Sequence, residues 1–375
     1  MSGTPATASP GPAGQDGVAA ALASAAAQVA TAAEAAMASL AACERPATTA
    51  LVVACAPRAA GAGGLLDALV APGAPMPVTV TGHHRLPAHV GPGTVVVAVG
   101  LGRAEAALVE PVALEGERRG ATVVRAGAGG QLELGWSGPA LPAEPSTPLA
   151  LAPLVELLPG LLAVAGWAGA LPDPPAVLSE IGEALSTCAR LPLDLGLPGT
   201  LARRIGRAIP LVEGAAGAGA VAADAWRRAW NLVAKAPAVV AVQPAASVGE
   251  VAGFGQHGDV TRQLVVLVSL RTPADHPDDR RRSDVFAELV GEALADVVHV
   301  DASAPGVAGS LAELCWLGVA TAYARARQEG LVPGPVPAVE ELEERLGPAR
   351  SSGPAPAPGP APAPGPARPF GTSLA

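Results

Sequence analysis

The chain has 375 residues, half of them apolar but only 2% aromatic, so its core must be built from Ala, Val and Leu. Its formal net charge is −9, and its longest basic run, "DDRRRSD" at Asp278–Asp284, is flanked by acids, which argues against a nucleic-acid partner. Cys43, Cys55, Cys188 and Cys315 lie far apart without CxxC spacing, and read as reduced thiols of a cytoplasmic protein rather than a disulfide frame or metal site.

Residues 1–16 are rich in Gly, Pro, Ser and Thr and are expected to be disordered, with no signal-peptide pattern. Residues 17–44 follow as one Ala-rich helix whose weakly apolar face should pack on something. "TTALVVACAP" is then a short apolar run bounded by turn residues, the mark of a buried parallel strand, and it feeds the Gly-rich opening of a helix, "RAAGAGGLLDALVA". "MPVTVTG", "GTVVVAVG" and "ATVVRAG" are further strands, the second running into the helix "LGRAEAALVEPVALEGERRG". This alternation predicts a doubly wound α/β lobe over residues 45–150.

The most apolar window, "PLALAPLVELLPGLLAVAGWAGALP", is interrupted by Glu156 and prolines, and is expected to be a buried helix pair rather than a membrane span. Apolar helices in this region also offer a surface for a homodimer. The pattern then restarts. "PAVLSEIGEALSTCARL" is helical, "LARRIGRAIPLVEG" passes from helix to strand, and "AGAVAADAWRRAWNLVAK" is a helix. "PAVVAVQP", "RQLVVLVSL" and "DVVHVDA" are strands, and "SLAELCWLGVATAYARARQEG" and "AVEELEERLG" are closing helices. A second α/β lobe therefore occupies residues 151–347, and residues 348–375 form a Pro-rich tail expected to be disordered.

Strand-to-helix loops are where α/β proteins place their chemistry. Arg58 and Gly61 follow the first strand, and Gly102 and Arg103 the third, so each pair offers a cation beside helix N–H groups for an anion. Lys235 is the only lysine in the chain and is expected to serve as a helix C-terminal cation. His83, His84 and His89 have no carboxylate or Cys at ligand spacing, so no metal is expected. "VAVGLGRAE" carries a GxG after a strand but lacks the third Gly and the later acid of a nicotinamide site, and no cofactor is expected.

The order of these segments resembles that of sugar isomerase (SIS) domains. "PVTVTGHHRLPAHVGPGTVVVAVG" is similar to the approach to an SIS phosphate loop, and "AIPLVEG…AWRRAWNLVAKAPAVVAVQPAASVGEVAGFG" to the core of the bifunctional phosphoglucose/phosphomannose isomerase family. The resemblance covers residues 45–347 and implies two SIS-like subdomains, 45–150 and 151–347, paired as a dimer. It also implies aldose–ketose isomerisation of a sugar 6-phosphate, with a glutamate base, a ring-opening histidine and hydroxyl-rich phosphate loops.

Residue by residue the resemblance breaks at the chemistry. The family's Asn-Glu-Asn-Ala-Lys reads "NLVAK", which keeps Asn231 and Lys235 but places Leu232 where the base should be. Its Asn-His-Asn-Glu reads "SVGE", which keeps Glu250 but places Val248 where the histidine should be. The phosphate loop reads "GLGRAEA", without hydroxyls but with Gly102, Arg103 and Glu105; the segment expected to carry a Pro-Arg step reads "PSTPLAL", without arginine. Neither Leu nor Val moves a proton. The expectation is therefore a degenerate catalytic site in a sugar-phosphate-binding protein with a regulatory or scaffolding role. Glu250 and His257 are the remote substitutes for the lost acid and base, and Arg58, Gly61, Gly102, Arg103, Asn231 and Lys235 the ligand-binding candidates.

Overall fold

The computed structural model describes residues 13–134, 145–254, 258–334 and 336–346. The expected tails at 1–16 and 348–375 fall largely or wholly outside these residues. The N-terminal helix α1 (Ala13–Ala41) begins before the predicted boundary. Its buried positions Val18, Leu22, Ala25, Val29, Ala33, Ala36 and Leu40 recur three or four apart, which gives it one packing stripe of small side chains.

Five strands make the first sheet: β1 (Ala50–Cys55), β2 (Val78–Gly82), β3 (Thr94–Val99), β4 (Thr122–Ala126) and β5 (Leu132–Leu134). Their order is β2-β1-β3-β4-β5. β1 to β4 run parallel, and β5 turns back antiparallel on β4. β1 and β3 are buried along their whole length, because α2 (Ala60–Val70) and α3 (Gly102–Arg118) pack with α1 over the two faces. No helix joins β4 to β5; a single 3-10 turn, Ala128–Gly130, does so.

Between the sheets lie α4 (Leu158–Trp167), entered through a π turn at Pro153–Leu157, then α5 (Pro174–Cys188) and α6 (Leu197–Ile205). The apolar window is thus one continuous buried helical segment, not the expected pair. It is buried inside the chain itself, which corrects its assignment to a subunit interface.

The second sheet contains β6 (Ile209–Gly214), β7 (Val239–Val242), β8 (Val265–Arg271) and β9 (Asp296–Asp301), all parallel in the order β7-β6-β8-β9. α7 (Ala218–Ala229) follows β6 and continues through a π turn at Trp230–Ala234. Two short helices, α8 (Gly249–Phe254) and α9 (Gly258–Leu264), lead into β8, so Arg262 to Leu264 belong to a helix and not to the predicted strand. α10 (Pro277–Gly291) crosses from β8 to β9, and α11 (Val307–Gln328) follows β9. A last helix, α12 (Pro337–Leu346), belongs to a second unit, Ala338–Ala375.

One hydrophobic core runs through both lobes, from α1 and one face of the first sheet to α7, α11 and one face of the second. α11 is buried from Ala308 to Ala326. Its Gly318 makes room for the Trp226 ring, since a Cβ there would lie 2.7 Å from it. The Trp226 indole N–H donates to the Leu314 carbonyl at 2.7 Å, and that of Trp316 to the Leu22 carbonyl at 3.0 Å. A chain short of aromatic residues thus uses two tryptophans to pin its central helix from either side.

Two described helices, Gly17–Ala41 and Val307–Gln328, are long and apolar enough to cross a membrane. The second is 94% buried within the fold, as a core helix is.

Candidate functional site

The carboxyl ends of β1 and β3, where the order of the first sheet reverses, are the place an α/β fold offers a ligand. Arg58 lies half-buried in the loop after β1; Gly102, with φ of 78°, opens α3 after β3, and Arg103 stands exposed in its first turn. The residue that ties these loops together is Glu105, which is 3% exposed. Its Oε1 accepts the Arg58 N–H at 2.5 Å and its Oε2 accepts the Leu101 N–H at 2.8 Å. Two loop amides that would face an anion are thus bonded to a carboxylate of the chain itself. Burial pushes the adjacent Cys55 thiol up to about 12, with the Glu105 charge adding to it, so Cys55 is no nucleophile at neutral pH.

Gly61 has a packing role in the structure. A Cβ there would lie 2.8 Å from the Arg228 guanidinium of α7, which is paired with Asp224 at 2.7 Å. The missing side chain lets α2 and α7 approach each other.

The same internal use of carboxylates recurs at three further places. Glu313 of α11 accepts the Ser303 and Ala304 N–H groups at 2.8 and 2.7 Å and the Ser303 hydroxyl at 2.8 Å, closing the loop after β9. Glu156 accepts the Thr147 N–H at 2.7 Å and the Thr147 and Ser146 hydroxyls at 2.6 and 3.1 Å, within the "PSTPLAL" segment. Glu213 at the end of β6 is fully buried and accepts the hydroxyls of Ser269 on β8 and Ser283 on α10 at 2.6 and 2.5 Å. Buried carboxylates with two or three donors each are stable parts of a core.

The remaining candidates lie at the π turn after α7 and at α8. Asn231 is exposed, and Leu232 is partly buried against the main core. Lys235 ends the π turn in the left-handed conformation, with φ of 56°, and its Nζ donates to the Gly334 carbonyl at 3.0 Å. Desolvation holds its amine below the usual lysine range. Lys235 is thus a helix C-cap that also ties down the segment after α11. Val248 is 78% exposed, and Glu250 is half-buried in the first turn of α8. His257 lies outside the described residues.

Residues 197–346 match the family model of the bacterial phospho-glucose isomerase C-terminal SIS domain. No curated protein matches the chain. Among solved structures, the chain superposes on a hypothetical protein of Thermus thermophilus with a TM-score of 0.60 at 15% identity, covering 90% of this chain and 91% of that one. It superposes on the C-terminal domain of glucosamine-fructose-6-phosphate aminotransferase from Francisella tularensis with a TM-score of 0.55 at 12% identity, covering 86% and 97%. A glucose-6-phosphate isomerase from Chlamydia trachomatis gives 0.54 at 10% identity, covering 86% and 72%.

The second lobe matches an SIS domain, and the chain as a whole has the α/β fold of these solved structures. Among SIS proteins it resembles the phosphoglucose isomerase family, with the match lying in the second lobe.

Proposed function

We propose that the chain is a phosphoglucose-isomerase-like SIS protein that has lost aldose–ketose isomerisation and acts as a regulatory or scaffolding protein responsive to sugar phosphate. The observation that carries the reading is the state of the loops. The positions of the family's base and histidine hold Leu232 and Val248, and the amides of Arg58 and Leu101 are bonded to Glu105. Without a positioned carboxylate and imidazole there is no route for the C1–C2 proton. The start of α3, with Arg103 exposed beside it, is the remaining ground for a phosphate group. On this reading the protein works in the cytoplasm as a homodimer. Exposed apolar side chains on the second lobe, Val239, Val248, Val260, Leu264 and Leu289, support the pairing.

Purified protein incubated with fructose 6-phosphate should form no glucose or mannose 6-phosphate. Glucose 6-phosphate should raise its melting temperature where glucose does not, because a ligand that binds only the native state stabilises it. Arg103→Ala should remove that rise. Turnover that disappears in Glu250→Gln would overturn the loss of catalysis, and equal melting with and without the sugar phosphate would overturn the ligand.

A further inference from the structure

Among the described residues, no crossover helix links β4 to β5. In a doubly wound lobe a helix normally returns from each strand to the next and covers the sheet. Here, among the described residues, β4 turns directly into antiparallel β5 through one 3-10 turn, and α1 and α3 flank that end of the sheet. A cavity of about 760 Å³ lies there, between α3, the ends of β3 and β4, and β5. Its volume is that of a small-molecule site. Ala107, Val109 and Leu114 of α3 give it apolar walls.

Its polar end is acidic. Ala98, Arg125 and Glu133 are cross-strand neighbours in one row of the sheet. The Arg125 guanidinium is gripped by Glu110 through two bonds at 3.0 and 2.9 Å and by Glu117 at 3.2 Å. Each of its three nitrogens thus donates to a carboxylate other than Glu133. Glu133, on the cavity wall, has no hydrogen bond among the described residues. Burial holds its carboxyl above the usual carboxylate range, a shift that Arg125 opposes and Glu110 reinforces. Three carboxylates thus surround one cation, and the surplus negative charge faces an apolar cavity.

We propose that this cavity is a binding site for an organic amine with an apolar body, the Glu133 carboxylate being its counter-ion. Ala107, Val109 and Leu114 of α3 would cover the body, and the ammonium group would donate to Glu133. The site is separate from the loops after β1 and β3 where a phosphate would sit, and it needs no isomerase chemistry.

Tryptamine, tryptophol and indole-3-acetate share a ring and differ in charge, and each can be titrated into the full chain by calorimetry at neutral pH. Tryptamine should bind about tenfold or more tightly than tryptophol, and indole-3-acetate should not bind, since only the amine makes a charge-assisted bond. Glu133→Gln should bring tryptamine down to tryptophol's affinity and leave tryptophol unchanged. Ala107→Trp, on an exposed position of α3, should fill the cavity and abolish both, with the melting temperature showing that the fold is kept. Equal binding of all three, no binding of tryptamine, or tryptamine binding that survives Ala107→Trp would each overturn the proposal.

Discussion

Glu105→Ala should destabilise the protein by about 3 kcal/mol or more, nearly all of it through lost polar contacts. The carboxylate accepts two loop amides, from Arg58 and Leu101, at hydrogen-bond distance and in a buried setting. A hydrogen bond to a charged group contributes roughly 1.5–3 kcal/mol, and a buried amide left unpaired costs about 1–3 kcal/mol. Both loops also lose their common anchor. Glu105→Gln keeps the shape and can accept only one of the two amides well, so it should fall between wild type and alanine. Urea unfolding of the three proteins measures the series, and a Glu105→Ala midpoint equal to wild type would show that the loops do not depend on this carboxylate.

A larger loss is expected at the centre of the fold. Trp226→Ala should cost about 3–5 kcal/mol, the range for truncating a buried large aromatic residue. The ring is 1% exposed, sits in the notch left by Gly318, and donates its indole N–H to the Leu314 carbonyl. Trp226→Phe should cost less, because it keeps much of the ring volume and loses the hydrogen bond. The seam it fills joins α7 to α11, so the melting of both lobes should shift together. Separate transitions for the two lobes in the variant would contradict one shared core.

Every strand but β5 was legible in the sequence because each is an apolar run bounded by Gly, Pro or charge; "GTVVVAVG" became β3, buried at all six positions, whereas β5, the three residues "LEL", is too short to stand out. The long Ala-rich helix was legible for the same reason, and its start differed because Ala13 to Asp16 carry no stop signal. α10 was not predicted. Its first turns, "PDDRRRSD", read as a charge run, yet Pro277 opens a helix that the His276 ring caps by accepting the Asp278 N–H at 3.2 Å. The missing crossover between β4 and β5 was also hidden, since "GAGGQLEL" gives a turn signal but not the direction of the next strand.

For the site, the family resemblance puts Leu232 and Val248 at the positions of the base and histidine, because the flanking residues carry the register. The buried carboxylates could not. Glu213 bonds to Ser269 and Ser283, which are 56 and 70 residues away, and only the β6–β8 register brings them together. The one local sign was a Glu at the end of an apolar strand, "IPLVEG", which a buried partner must explain. Glu105 was visible as a residue, but its role as the internal partner of two loops depends on a contact across 47 positions to Arg58.

The most direct test follows the proton itself. Fructose 6-phosphate is incubated with the protein in heavy water, and loss of its C1 proton signal is followed by NMR, which detects proton abstraction even when no product is released. No exchange above the protein-free sample is the predicted result, because Leu232 and Val248 stand where the base and the histidine would act. Deuterium entering at C1 in the wild-type protein and ceasing in Glu250→Gln would contradict the account and return the chain to the working isomerases.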